Sequence, residues 1–158
     1  MKDAIEKIRK WNKTASVPER EEPGFPSQNR VYLRIDMLDE ELDELEKAVR
    51  AGDIVEVFDA LCDIQYVLLG AVTDFGLQDV FEEGFNEVYR SNMSKFVENT
   101  HDASESVNRL LDKGVESNYK KVGDLFVIRR NEDDKILKGM YFTPPNLKKI
   151  INSKFGKK

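Results

Sequence analysis

The sequence predicts an all-α core of four or five helices with a small α+β extension at its C-terminal end. Three observations predict it. Before about Thr100, four successive segments carry apolar residues at helical spacing, separated by turn-forming residues. After Thr100 the pattern changes to short strand-like runs interrupted at "VGD" and "NEDD". The 158 residues suit one ordinary domain with a small appendage. The expected organisation is therefore a helical core over 1–100 and an extension over 101–158.

Taken in order, residues 2–14 place Ile5, Ile8 and Trp11 on one side of an amphipathic helix. "SVPEREEPGFPSQNR" holds three of the five prolines and reads as a loop. Ser27 or Asn29 caps the next helix, which runs to about Val49 and stops at "AGD". Asp53 caps a third helix of about twenty residues that ends near Gly76. "LQDVFEEGFNEVYRSNMSKF" gives a fourth, with Val80, Phe81, Phe85, Val88 and Tyr89 on its apolar side. A short capped helix follows, ending at Gly114, then the strands, then a last helical turn starting within "TPPNLKKII".

Composition excludes several classes of function. Hydrophobic residues make up 40% and charged residues 35%, the balance of a globular soluble protein. A net charge of −5 argues against a general nucleic-acid binder. The longest apolar run is too short for a membrane span, and the N-terminus lacks the apolar stretch of a signal peptide, so the cytoplasm is the default. One cysteine, Cys62, forms no intrachain disulfide and no zinc site alone, and reads as a small core residue. The one histidine, His101, lies at a helix start and reads as a surface residue. Chemistry must then rest on carboxylates.

The carboxylates are arranged in a pattern. In the second helix Met37, Leu38, Leu42, Leu45, Ala48 and Val49 mark an apolar stripe, and Glu41 falls inside it. Glu44 borders the stripe, and Glu40 lies four before Glu44. The third helix is apolar around most of its circumference, which predicts burial. Glu56, Asp59, Asp63 and Tyr66 interrupt it at spacings of three, four and three, a single polar seam. Converging acids cannot share a dry site unless a multivalent cation neutralises them. Of the basic residues on these helices, only Arg34 is spaced to face Glu41. The seam favours an all-oxygen Mg²⁺ or Mn²⁺ site between two antiparallel helices. The competing reading is a solvated acidic groove, or one that meets a basic partner.

These residues carry a resemblance. "LDEELDELEKAV", "DALCDIQYVLLGAVTDFGL" and "VFEEGFNEVYRSNMSKF" occur in the order found in the all-α nucleotide pyrophosphohydrolases. That superfamily joins MazG-like enzymes, dimeric dUTPases and phosphoribosyl-ATP pyrophosphohydrolase. The chain most resembles the MazG-like, phosphoribosyl-ATP-pyrophosphohydrolase-like subgroup, over about residues 28–97. The resemblance implies a MazG-like bundle with an ExxE motif on one helix, ExxD on the next, and Mg²⁺ between them. Carried over, Glu41 and Glu44 form the first pair and Asp63 closes the second. The position three before Asp63 is Ala60, a departure from the family pattern. Asp59, one turn earlier, is the substitute we favour, giving Glu41, Glu44, Asp59 and Asp63 as metal ligands. Glu56 stands as an outer candidate, and the number of metal ions stays open.

The resemblance implies hydrolysis of a nucleoside triphosphate to monophosphate and pyrophosphate, with nucleotide-pool cleansing as a role. Metal ions would bind phosphate oxygens and activate water, with Glu40 and Glu41 as the catalytic acids, Glu40 orienting or deprotonating that water. Arg90, Asn92 and Lys95 of "YRSNMSK" suit sugar or phosphate contacts, against an alternative in which Lys95 is a surface lysine. Tyr66 either stacks in the pocket or is a core tyrosine, and Trp11 reads as packing. The resemblance also implies a homodimer or dimer of dimers that covers apolar surface on the third and fourth helices. Two alternatives stay open: a phosphoribosyl-ATP pyrophosphohydrolase of histidine synthesis, and a non-catalytic helical dimer binding metal or nucleotide.

Overall fold

The structure, a computed structural model, describes residues 1–156. The described residues form α1 (Lys2–Thr14), α2 (Gln28–Ala51), α3 (Ile54–Asp74), α4 (Phe81–Met93), α5 (Thr100–Leu111), β1 (Ser117–Val122), β2 (Leu125–Arg130) and α6 (Leu147–Phe155). The protein is thus mostly helical, with one small two-stranded sheet. Two compact units divide it, Met1–Glu82 with the chain from Lys149 onward, and Glu83–Lys148.

The first unit is organised around the α2–α3 hairpin. Ser27 caps α2 through its hydroxyl, which accepts from the Arg30 amide. Gly52 ends the helix in a left-handed conformation (φ 69°) that a β-carbon would strain. Asp53 then caps α3, its carboxylate accepting from the Val55 and Glu56 amides. With only Gly52 and Asp53 between them, the two helices fold back antiparallel. Helix α1 packs on α3, with Ile5 and Ile8 closing over Leu69 and Val72, and Ala4, Leu77 and Phe81 at the margin. Full burial of each such isoleucine contributes about 1.5–3 kcal/mol.

The loop between α1 and α2 is stitched to the end of α3. The Arg20 amide donates to Thr73 O (3.4 Å) and the Gly24 amide to Phe75 O (3.0 Å). Gln78 Nε2 donates to Arg20 O (2.8 Å). Glu19 accepts from Asn12 Nδ2 (3.0 Å) and Arg9 Nε (3.2 Å). A β-carbon on Gly76 would sit 2.1 Å from Glu22 O, so only glycine admits the loop here.

Helix α3 departs from expectation. Ile54, Val55 and Phe58 are 76%, 69% and 68% exposed, and Glu56, Asp59 and Asp63 are exposed as well. Among the described residues α3 packs chiefly on α1 and α2, and these leave Ile54, Val55, Phe58 and Leu61 of its apolar circumference exposed. Cys62 lies on this uncovered side rather than in the core. Phe85 and Tyr89 of α4 are likewise exposed.

In the second unit β1 and β2 pair antiparallel from Ser117↔Arg130 to Val122↔Leu125. Helix α5 covers this hairpin, its N-terminus capped by Asn99. Val97, Ala103 and Phe126 form the core, with Tyr119 and Met140 packed against it. His101 is exposed near the start of α5, as expected. The expected final turn is a helix of nine residues, α6.

Candidate functional site

The α2–α3 hairpin sets the acids opposite one another. Glu41 is half-buried, because it lies within the apolar stripe of α2, whereas Glu40, Glu44, Asp59 and Asp63 reach solvent. The Glu41 carboxyl is raised above the usual carboxylate range, first by desolvation and then by the charges of Asp63, Glu44, Glu40 and Asp59. Glu41 therefore feels its own pair partner Glu44 and both members of the pair expected on α3, Asp59 and Asp63. Among the described residues none of these five acids forms an ion pair with a basic side chain.

The donor set is all oxygen and its negative charge is uncompensated, which suits a hard divalent cation. The side chains are not gathered into a ready-made chelate: among the described residues no three acids converge closely enough to hold an ion. Next to them Glu44, Lys47, Asp53, Glu56, Asp59 and Ala60 line an open depression of about 380 Å³. Glu56 faces this depression with Glu44 and Asp59, yet it is not among the charges that raise Glu41.

Arg34 does not face Glu41. It donates from Nε to Asp74 Oδ2 (2.7 Å), and Arg30 donates to both Asp74 oxygens (2.8 and 3.2 Å). Asp74 is 2% exposed, so its charge is compensated by two guanidinium groups inside the protein. A β-carbon on Gly70 would lie 2.5 Å from Arg34 Nη1, so the glycine makes room for the arginine. Spacing along one helix missed this network, since its acid lies on the next helix. The signals present were an acid closing the apolar run "LLGAVTD" and a glycine four residues before it.

Tyr66 is partly exposed and meets the Trp11 ring edge-on at 6.4 Å, so these two aromatics pack on each other. The remaining expected contacts lie at the end of α4. Asn92 Nδ2 donates to Val88 O (2.9 Å), and its Oδ1 accepts from Lys95 Nζ (2.6 Å). Arg90 donates from Nε and Nη2 to Glu87 (2.7 and 2.8 Å), from Nη1 to Thr143 Oγ1 (2.6 Å) and from Nη2 to Pro144 O (3.3 Å). The lysine retains uncommitted donors, whereas both outer nitrogens of the arginine are engaged within the chain.

Among the described residues no helix is long and apolar enough to cross a membrane. The family model described as phosphoribosyl-ATP pyrophosphohydrolase matches residues 8–92, which take in α2, α3 and most of α4. The chain is also similar to a protein of Acanthamoeba polyphaga mimivirus described as uncharacterized protein L479. The two are 32% identical over 93 residues, covering 52% of this chain and 37% of the viral protein's length.

Proposed function

Since this chain belongs to the phosphoribosyl-ATP pyrophosphohydrolase family, within the MazG-like nucleotide pyrophosphohydrolase superfamily, we propose that it hydrolyses a nucleoside or deoxynucleoside triphosphate to the monophosphate and pyrophosphate. One observation supports the reading most: Glu41 is held in reach of the charges of Asp63, Glu44, Glu40 and Asp59, and among the described residues none of these acids is ion-paired to a basic side chain. Glu41, Glu44, Asp59 and Asp63 would hold Mg²⁺, or Mn²⁺ in its place. Bound there, the ion would neutralise phosphate oxygens and activate the attacking water.

The protein's own groups account for the rest of the chemistry. Glu40, next to Glu41 and open to solvent, orients the attacking water and takes up its proton. Asn92 and Lys95 contribute a phosphate or sugar contact, the amide aiming the ammonium. Tyr66 offers a ring face and a hydroxyl to the nucleotide. The uncovered apolar side of α3 supports a homodimer, or a dimer of such dimers, as the working form.

The test is pyrophosphate release across ribo- and deoxynucleoside triphosphates with Mg²⁺, run in ¹⁸O-labelled water. We expect the label on the nucleoside monophosphate, from attack at the α-phosphorus. Release of orthophosphate and a diphosphate would overturn the assignment. Turnover of phosphoribosyl-ATP alone would replace the substrate class, and metal binding without any product would leave a sensor or scaffold in place of an enzyme.

A further inference from the structure

Residues 138–146, "KGMYFTPPN", lie along the end of α4 and the turn after it. The Gly139 amide donates to Lys95 O (2.9 Å) and the Thr143 amide to Ser94 Oγ (3.0 Å). Ser94 Oγ also lies 3.3 Å from Thr143 O. The Asn146 amide donates to Glu87 Oε1 (2.8 Å), and Arg90 grips Thr143 Oγ1 and Pro144 O. Gly139 sits so close that a β-carbon there would lie 2.7 Å from Lys95 O and 2.8 Å from Val97 Cγ1. On the other side of the turn, Val97 exchanges both backbone hydrogen bonds with Phe126 of β2 (3.3 and 2.7 Å).

The turn carrying Lys95 is thus clamped from two directions by chain outside its own helix. Most of these contacts are directed at residues 90–95, which include the nucleotide contacts proposed above. A lysine is a point charge on a flexible stem, so fixing its backbone and giving its ammonium an amide partner narrows where the charge can go. Arg90 is differently placed, because four of its five N–H donors go to Glu87, Thr143 and Pro144, leaving one for any ligand.

We propose that residues 138–146 are a strap that positions Lys95 for the phosphates of the substrate, and that Arg90 is a positioning residue that anchors the strap rather than a nucleotide ligand. The proposal rests on the reading of Lys95 as a phosphate contact. It gives the chain beyond β2 a part in nucleotide affinity, acting through Thr143 and Gly139.

The experiment labels lysines of the full chain with acetic anhydride, with and without inorganic tripolyphosphate and Mg²⁺, and reads each site by mass spectrometry. Lys113, an exposed lysine beyond α5, serves as the internal control. In the wild type, tripolyphosphate should slow acetylation of Lys95 fivefold or more relative to Lys113. Thr143→Val, which keeps the side-chain shape but removes the hydroxyl that Arg90 grips, should cut that protection to below twofold. Thr143→Ser should restore it. Gly139→Ala should act like Thr143→Val by a different route. Steady-state kinetics with each of the four common deoxynucleoside triphosphates should show KM raised about fivefold or more in both variants, with kcat within twofold. Undiminished protection in folded Thr143→Val would overturn the strap while leaving the role of Lys95 standing. Lack of protection in the wild type would overturn both, by removing Lys95 from the phosphates.

Discussion

At the scale of single residues, the carboxylates behave as a group. The Glu41 carboxyl is raised by burial and by four neighbouring acids, so its charged form weakens the metal-free fold. Its pKa is higher folded than unfolded, which means the folded state holds the proton more tightly. The resulting penalty is absent below the unfolded value and grows as pH rises through the folded one. Glu41→Gln should therefore stabilise the metal-free protein at neutral pH by about 0.5 kcal/mol, the scale of a relieved like-charge pair. The gain should vanish near pH 4, and urea unfolding at the two pH values checks both. The same substitution should abolish Mg²⁺-dependent turnover. A second test separates Asp59 from Glu56. Asp59 is one of the charges felt at Glu41 and Glu56 is not, so Asp59→Asn should weaken Mn²⁺ binding about tenfold or more and Glu56→Gln by less than threefold, by calorimetric titration. These acids were legible because helical spacing alone puts them on shared faces. The Arg30, Arg34 and Asp74 network was not, because a partner forty residues away is set by how α2 lies on α3.

At the scale of elements, the sequence carries the ends of helices well and their burial poorly. Caps are local: Ser27, Asp53 and Gly52 do what their side chains, or the lack of one, require within a few residues. Burial needs a neighbour, and the sequence of α3 does not say which side has one. The pairing of Asp74 with Arg34 and Arg30 ties α2 to α3 well away from the Gly52 turn. Removing the acid leaves Arg34 buried without its counter-charge, a loss of about 3 kcal/mol or more. Asp74→Ala should lower the urea midpoint accordingly. The double change Asp74→Ala with Arg34→Met should recover part of the loss, because it removes the stranded charge as well. Equal effects from the single and double variants would mean the network only fills space.

At the scale of the whole molecule, an apolar side chain that its own fold leaves largely exposed needs another explanation. Ile54, Val55, Phe58 and Leu61 expose much of their surface along α3, and Val49 and Leu42 do so on α2. Patches of that kind mark interaction surfaces. A second copy of the chain is the partner proposed above, and sedimentation at micromolar concentration should give twice the mass of one chain or a multiple of it. Phe58→Glu should shift the protein toward monomer by at least tenfold in dissociation constant, because it brings a charge to the centre of the patch. The expectation of a buried third helix does not hold for the single chain, and a covering partner enters only with the dimer proposed above. Hydrophobic pattern records every surface that ends up dry, whichever chain covers it.

The segment between α1 and α2 has the prolines and charges of a tether, yet its backbone is spoken for at Arg20, Gly24 and Glu22. A protease must draw several residues on each side of the scissile bond into an extended form, and here that means first pulling the segment off the end of α3. The Arg20–Glu21 bond, with an exposed arginine, is a trypsin site in composition but not in access. Under dilute trypsin we expect it to outlast, by tenfold or more, the same bond in Gly76→Ala, whose new methyl group pushes Glu22 away. Cleavage there then becomes a gauge: when reclosing outpaces the enzyme, the rate of cutting reports the fraction of molecules in which this edge stands open.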